Sequence, residues 1–208
     1  MIEDALGRRI QYETTGIDVA DVDPDPFVQF ERWFAEAAAD IVEANAMVLS
    51  TAGPLGPSSR AVLLREIHEG QFVFYTNRSS RKGQDIGSDP RVTLLFPWFS
   101  LHRQIRIDGS AAPVPDAMSD AYFASRPVES QAGAVASPQS QPIPSREWLE
   151  NRFVSALEAG SIERPEDWGG YGVTPTIFEF WQGRAGRLHD RIRYTRSDTG
   201  WIRDRLAP

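Results

Sequence analysis

With 208 residues, 41% of them hydrophobic and 25% charged, the chain is long enough to bury a substantial core as one domain. No apolar run nears the roughly 18 residues of a membrane span, residues 1–16 lack the apolar stretch of a secretory signal, and the lack of cysteine excludes disulfides, thiolate metal sites and cysteine nucleophiles. A formal net charge of −7 argues against a general affinity for nucleic acid, and a cytoplasmic location is expected.

Residues 1–25 are polar, carry two Asp-Pro pairs and read as an arm. Over residues 27–44, Phe30, Trp33, Phe34, Ala37 and Ile41 recur at helical spacing and predict an amphipathic helix with one buried face. The period then changes. Segments 46–51, 60–67, 71–76, 92–96 and 103–108 are short, rich in Val, Ile, Leu, Phe and Tyr, and punctuated by Gly, Pro, Ser and Asn. That is the pattern of antiparallel strands joined by hairpins. Residues 79–86 predict a short helix. Helical spacing returns at 116–125 and 146–159, with an extended loop over 127–144 between them, and strands follow at 176–181, 191–195 and 201–205. The fold class is α+β, mainly β: an antiparallel barrel with flanking helices.

The arginines of this acidic chain are clustered, which suits a binder of small anions, phosphate above all. Ser80, Arg81 and Lys82 stand where a strand gives way to a helix, and the free N–H groups of a helix start favour an anion. Arg60 and Arg65 are five residues apart, hence on opposite faces of a regular strand, able to serve two neighbouring sites. Arg187, His189 and Arg191 are spaced by two beside Trp181 and line one side of an extended segment, a candidate ligand wall. No dinucleotide fingerprint, phosphate-binding loop, zinc-protease motif or serine elbow is present, and His68, His102 and His189 are too dispersed for a zinc pattern. Pattern alone ends at a barrel that binds phosphorylated ligands.

These segments resemble the pyridoxine/pyridoxamine 5'-phosphate oxidase family from about residue 27 to residue 208. The resemblance lies in Arg60-Ala61-Val62-Leu63-Leu64-Arg65, Phe74-Tyr75-Thr76-Asn77, Ser80-Arg81-Lys82, Arg103-Gln104, Tyr122 with Arg126, Ser130, Gln139-Ser140, Trp168-Gly169-Gly170-Tyr171, Glu179 to Gly183 and Arg187 to Arg191. It implies a split antiparallel barrel, a homodimer and FMN held across the subunit interface. By resemblance, Arg60, Ala61, Val62, Leu63, Tyr75, Thr76, Ser80, Arg81 and Lys82 hold the FMN phosphate and ribityl region. Gln104, Gln139, Ser140, Trp181 and Arg191 complete the cofactor site, partly from the second subunit. Arg65, Tyr122, Arg126 and Ser130 match the grip on the substrate phosphate; Arg187 and His189 match the residues over the pyridine ring and its C4' substituent.

The implied reaction is oxidation of pyridoxine or pyridoxamine 5'-phosphate at C4' to pyridoxal 5'-phosphate, with hydride passing to the flavin and dioxygen reduced to hydrogen peroxide. Residues 1–25 would be an arm and active-site lid, with Arg9 and Tyr12 as its substrate-capping residues, and residues 26–208 the oxidase domain. The chain departs from the family pattern at Arg65, where Lys is common, and at Val135, where Trp is frequent. Same-fold rivals are a flavin oxidase of secondary metabolism, as in phenazine biosynthesis, a non-catalytic flavin- or heme-binding protein, and a deazaflavin-dependent reductase. The retained Tyr122, Arg126 and Ser130 favour a phosphorylated substrate, because a site built around them would leave charges unpaired without one.

Overall fold

A computed structural model describes residues 6, 7 and 11–208. Nine strands form a mainly antiparallel sheet: β1 (Ala46–Gly53), β2 (Gly56–Leu63), β3 (Glu66–His68), β4 (Gln71–Asn77), β5 (Arg91–Trp98), β6 (Arg103–Pro113), β7 (Trp168–Gln182), β8 (Asp190–Ser197) and β9 (Gly200–Arg205). Strand order is β2-β1-β5-β6-β7-β4-β3, with β8 on β7 and β9 on β8. Five α-helices occur among the described residues: α1 (Pro26–Asp40), α2 (Arg81–Ser88), α3 (Asp116–Ser125), α4 (Val128–Ala136) and α5 (Arg146–Glu158). None is long and apolar enough to cross a membrane. The chain divides into two compact units, one of residues 1–46, 94–108 and 176–208, the other of residues 47–93 and 109–175.

In the first unit, α1 begins where its sequence says it should. Asp25 caps it, accepting from the Phe27 N–H at 2.8 Å, and Pro26 occupies the first turn, where its missing N–H costs nothing. The helix stops at Asp40, four residues before the predicted end at 44. Its buried stripe of Phe30, Trp33 and Ala37 sets Phe30 edge-on to Phe96 at 5.1 Å and Trp33 edge-on to Phe180 at 5.3 Å. Each such ring contributes roughly 1.5–3 kcal/mol by leaving water. The C-terminal half of β7 pairs with β8, placing Phe180 opposite Ile192 and Trp181 opposite Arg191. The preceding arm is tied down here: Tyr194 donates to the Asp23 carbonyl at 2.7 Å, and Arg203 donates to the carbonyls of Val19 and Val22.

In the second unit, β3 and β4 form a hairpin whose loop, Glu69-Gly70, has positive φ at both positions (48° and 74°), the backbone of a type I′ turn. Strand β4 then pairs with the N-terminal half of β7, Phe74 opposite Tyr171 and Thr76 opposite Gly169. Sequence reading started this strand at 176, eight residues late, because Gly169, Gly170 and Gly172 look like punctuation. They are instead points of close approach: a side chain at Gly170 would run into Tyr75 and Val114. A second difference is α4, which lies inside the predicted loop 127–144. Its composition is small and polar, and its inward face is only Ala132 and Ala136. Two alanines give little periodic signal, yet they let α4 pack closely. Arg152 on α5 donates to the Ala136 carbonyl at 2.9 Å.

Candidate active site

A cavity of about 850 Å³ opens in the second unit, within the usual range for a small-molecule site. Its wall contains Arg60, Ala61, Val62, Leu63, Tyr75, Thr76, Arg81, Lys82, Gln139 and Ser140, all expected at the cofactor, and also Arg65, Tyr122, Arg126 and Ser130, expected at the substrate phosphate. Of the residues expected at the FMN phosphate and ribityl region, Ser80 is the exception. It is buried as the residue before α2, with its hydroxyl on the Asn77 carbonyl at 2.6 Å.

Three cations crowd the first grouping. Arg60 is held by the Leu49 carbonyl at 3.2 Å and by the hydroxyls of Thr51 and Ser58, each at 2.8 Å. Lys82 donates to Thr76 Oγ1 at 3.0 Å, to Ser80 Oγ at 3.1 Å and to Gln139 Oε1 at 2.7 Å. Burial, with repulsion from Arg60, lowers its ammonium to a pKa of about 8. Arg81 opens α2, whose start is pressed so closely on the chain before it that a Cβ at Gly83 would collide with the Arg78 carbonyl. Ser140 holds a left-handed backbone, φ 71°, which for a non-glycine residue is strain of the kind found at functional sites.

The second grouping is built on stacked rings. Tyr75 and Tyr122 lie 3.9 Å apart and nearly parallel, and both are parallel to Trp168. The Tyr75 hydroxyl bonds Glu66 at 3.0 Å; burial first, then this bond, pushes the phenol pKa up. Arg65 sits over the Tyr122 ring at 5.8 Å and Arg126 over the Trp168 ring at 4.8 Å. Burial lowers the Arg126 pKa, and Arg65 adds repulsion. Its Nη1 is buried and has no acceptor.

Two expectations about geometry need correction. Arg60 and Arg65 line the same cavity, because β2 ends at Leu63 and the chain breaks register before β3, so strict alternation does not carry to residue 65. Arg187, His189 and Arg191 do not share one side of an extended segment either. Residues Ala185–Arg187 form a tight turn with φ 65° at Gly186 and 61° at Arg187, and only Arg191 lies on β8.

Those three residues belong to the first unit, with Gln104, Trp181 and Tyr12. Tyr12 lies 4.5 Å from the His102 ring and 5.7 Å from the His189 ring, while Trp181 lies 4.7 Å from His189. The Arg184 N–H donates to His189 Nδ1 at 3.1 Å, fixing the orientation of the ring. Arg191 donates to Glu179 at 2.8 Å and to the Ala207 carbonyl at 2.9 Å. Arg187 is exposed, and Gln104 is half-buried on β6. Arg9 lies outside the described residues. The sequence reading also missed Trp168, Ser58 and Ser59 as cavity wall. Trp168 heads a glycine run that read as loop, and the two serines carry no pattern that sets them apart.

A family model described as pyridoxamine 5'-phosphate oxidase matches residues 34–158, and one described as the pyridoxine 5'-phosphate oxidase C-terminal dimerisation region matches residues 168–208. The pyridoxine/pyridoxamine 5'-phosphate oxidase of Nocardioides sp. is 52% identical over 209 residues, covering 99% of this chain and 98% of the relative. That of Rubrobacter xylanophilus is 51% identical over 210 residues, covering 99% and 97%. Among solved structures, PhzG from Burkholderia lata, in complex with tetrahydrophenazine-1-carboxylic acid, superposes with a TM-score of 0.88 at 31% identity, covering 95% of this chain and 100% of its own. A pyridoxamine 5'-phosphate oxidase-related, FMN-binding protein from Nostoc punctiforme shares the fold, with a TM-score of 0.71 at 18% identity over 88% and 98% of the two chains. The expected split-barrel fold is thus borne out.

Proposed function

The chain belongs to the pyridoxamine 5'-phosphate oxidase family, and we propose that it is a cytoplasmic homodimer that oxidises pyridoxine or pyridoxamine 5'-phosphate at C4' to pyridoxal 5'-phosphate, with FMN as cofactor and dioxygen reduced to hydrogen peroxide. One observation carries this reading. Arg65, Tyr122, Arg126 and Ser130 line the same cavity as Arg60, Thr76, Arg81 and Lys82, so one cavity offers two cationic, hydroxyl-bearing groupings. That suits a phosphorylated cofactor beside a phosphorylated substrate.

The donor set fits both. Arg81 Nε and Arg126 Nη1 are buried without a hydrogen-bond acceptor, and an unpaired buried donor costs about 1–3 kcal/mol, more when charged. A phosphate oxygen at each would remove that cost. Arg60, Thr76, Ser80, Arg81 and Lys82 would grip the FMN phosphate, with Ala61, Val62, Leu63, Tyr75, Gln139 and Ser140 along its tail and Gln104, Trp181 and Arg191 completing the site, in part from the second subunit. The match of residues 168–208 to a dimerisation region supports that assembly. FMN held there would supply the two-electron chemistry between C4' and dioxygen. The chain's own task is orientation. Arg65, Tyr122, Arg126 and Ser130 hold the substrate phosphate, Arg187 positions the reacting carbon and His189 orients the ring. Tyr12 of the N-terminal arm caps the substrate, and its contact with His189 supports that role.

The likeness to PhzG favours a second reading, an oxidase of a phenazine-type carboxylate. A monoanion, however, leaves the paired Arg65 and Arg126 under-neutralised. The test is a peroxide assay in air with pyridoxine 5'-phosphate, pyridoxamine 5'-phosphate and unphosphorylated pyridoxine. Peroxide from at least one phosphate is expected, with kcat/KM for pyridoxine lower by roughly 100-fold or more, the price of a missing charged partner. Equal use of pyridoxine, or no turnover of either phosphate, overturns the proposal.

A further inference from the structure

Asp85 is a buried acid behind two of the three cations of the first grouping, Arg60 and Arg81, and has no part in the reading above. It lies on α2 one turn after Arg81, with a side chain only 5% exposed. Its Oδ2 accepts from Thr51 Oγ1 at 2.7 Å, and faces Arg60 Nη2 at 3.8 Å and Arg81 Nε at 3.9 Å. Thr51 in turn accepts from Arg60 Nη1 at 2.8 Å, so hydroxyl and carboxylate form a relay behind the guanidinium. The seat is made for it: a Cβ at Gly53 would occupy the space of the Asp85 carboxylate.

Neither ion pair is a close one. At 3.8 and 3.9 Å the carboxylate attracts both guanidiniums without taking up their donors, and Arg81 Nε is left without an acceptor. Three positive charges against one negative leave an excess of two, which a phosphate dianion would cancel. Resting on the reading that this grouping receives the FMN phosphate, we propose that Asp85 is its internal counter-anion, a positioning residue that lets Arg60 and Arg81 converge beforehand and then competes with the phosphate for them. Arg60 keeps three other partners, the Leu49 carbonyl and the Thr51 and Ser58 hydroxyls. Removing the charge of Asp85 therefore leaves Arg60 in place and strengthens the hold on phosphate.

The experiment titrates FMN and riboflavin into cofactor-stripped full-length protein, followed by flavin fluorescence, and takes the ratio of the two affinities as the contribution of the phosphate end. Asp85→Asn keeps the shape and an acceptor for Thr51, and should raise the ratio roughly tenfold by relief of like-charge repulsion. Asp85→Glu keeps the charge and should leave the ratio within about twofold of the native protein. An unchanged or lowered ratio for Asp85→Asn overturns the inference, as does an equal rise for Asp85→Glu, which would make shape and not charge the cause. If Asp85→Asn fails to fold, Asp85→Ser, also neutral and able to bond Thr51, carries the same expectation. Should the native protein bind riboflavin as tightly as FMN, the phosphate reading itself fails, and separately from Asp85.

Discussion

Raising the pH should weaken FMN binding from about pH 8 upward, through Lys82 alone. Burial and the neighbouring Arg60 place this ammonium at a pKa of about 8 against an ordinary 10.5. A phosphate dianion beside it restores the charged form, so the bound state keeps its proton well above pH 8. The sign follows from linkage. Below pH 8 the lysine is protonated with or without ligand, and affinity is flat; above pH 8 the free protein has lost a proton that binding must recover, and affinity falls. For a single site the loss is about 11-fold at pH 9 and approaches 100-fold at pH 10. Phosphate itself is fully ionised here, its second pKa being about 6. The Tyr75 phenol on the same wall is pushed up, away from this window. The assay is a fluorescence titration of FMN from pH 7 to 10, with riboflavin run in parallel to cancel ionisations of the ring. Lys82→Met should bind FMN weakly at pH 7 and lose the slope. A flat profile to pH 9.5, or the same slope with riboflavin, would refute the reasoning.

Three further outcomes follow from packing and charge. Arg126→Ala should weaken the phosphorylated substrate by about 2–4 kcal/mol, roughly 30- to 1000-fold, and FMN by no more than about threefold; parallel losses in steady-state KM and in FMN titration would merge the two groupings into one. Gly83→Ala drives a methyl into the Arg78 backbone, shifting the start of α2, and should cost about 1–3 kcal/mol of stability together with FMN affinity, read by thermal melting and titration. Phe30→Ala empties a core position only 1% exposed and should cost about 3–5 kcal/mol, while FMN binding by the folded fraction stays native.

What could be seen beforehand depended on how much signal each residue carries. The large apolar stripe of α1 and the hairpin leading from the predicted strand 60–67 into 71–76 are written in side-chain period and turn chemistry, and both were legible. The start of β7 and helix α4 were not, because Gly169-Gly170 and Ala132 with Ala136 act by being small, and smallness reads as loop. The site behaved in the same way. Cations and hydroxyls at Arg60, Arg65 and Ser80–Lys82 suggested phosphate from residue type alone, whereas Arg126 entered only through the resemblance. That Arg60 and Arg65 share a cavity was hidden, since it turns on a break in strand register that no pattern marks. Asp85 was hidden for the opposite reason: an acid on a short polar helix looks like solvated charge until the fold buries it.

Arg60 in the first grouping and the arginines of the second are held by different means, and the difference bears on what each can bind. Arg60 is fixed through its N–H groups, by a carbonyl and two hydroxyls, with a carboxylate behind. Such a guanidinium is rigid but has few donors left, so its share in anion binding is mostly charge. Arg65 and Arg126 rest on the faces of Tyr122 and Trp168. A ring face attracts the cation by about 0.5–2 kcal/mol and takes up no N–H. These arginines can therefore be placed in advance while keeping donors in reserve, which is why Arg126 Nη1 is buried and unpaired. Parallel stacking of Tyr75, Tyr122 and Trp168 makes that platform stiff. A substrate must come and go at each turnover, and donors held ready on an aromatic platform meet it without first breaking bonds to protein. A cofactor that stays can be met by groups already tied to the frame, as Arg60 and Lys82 are.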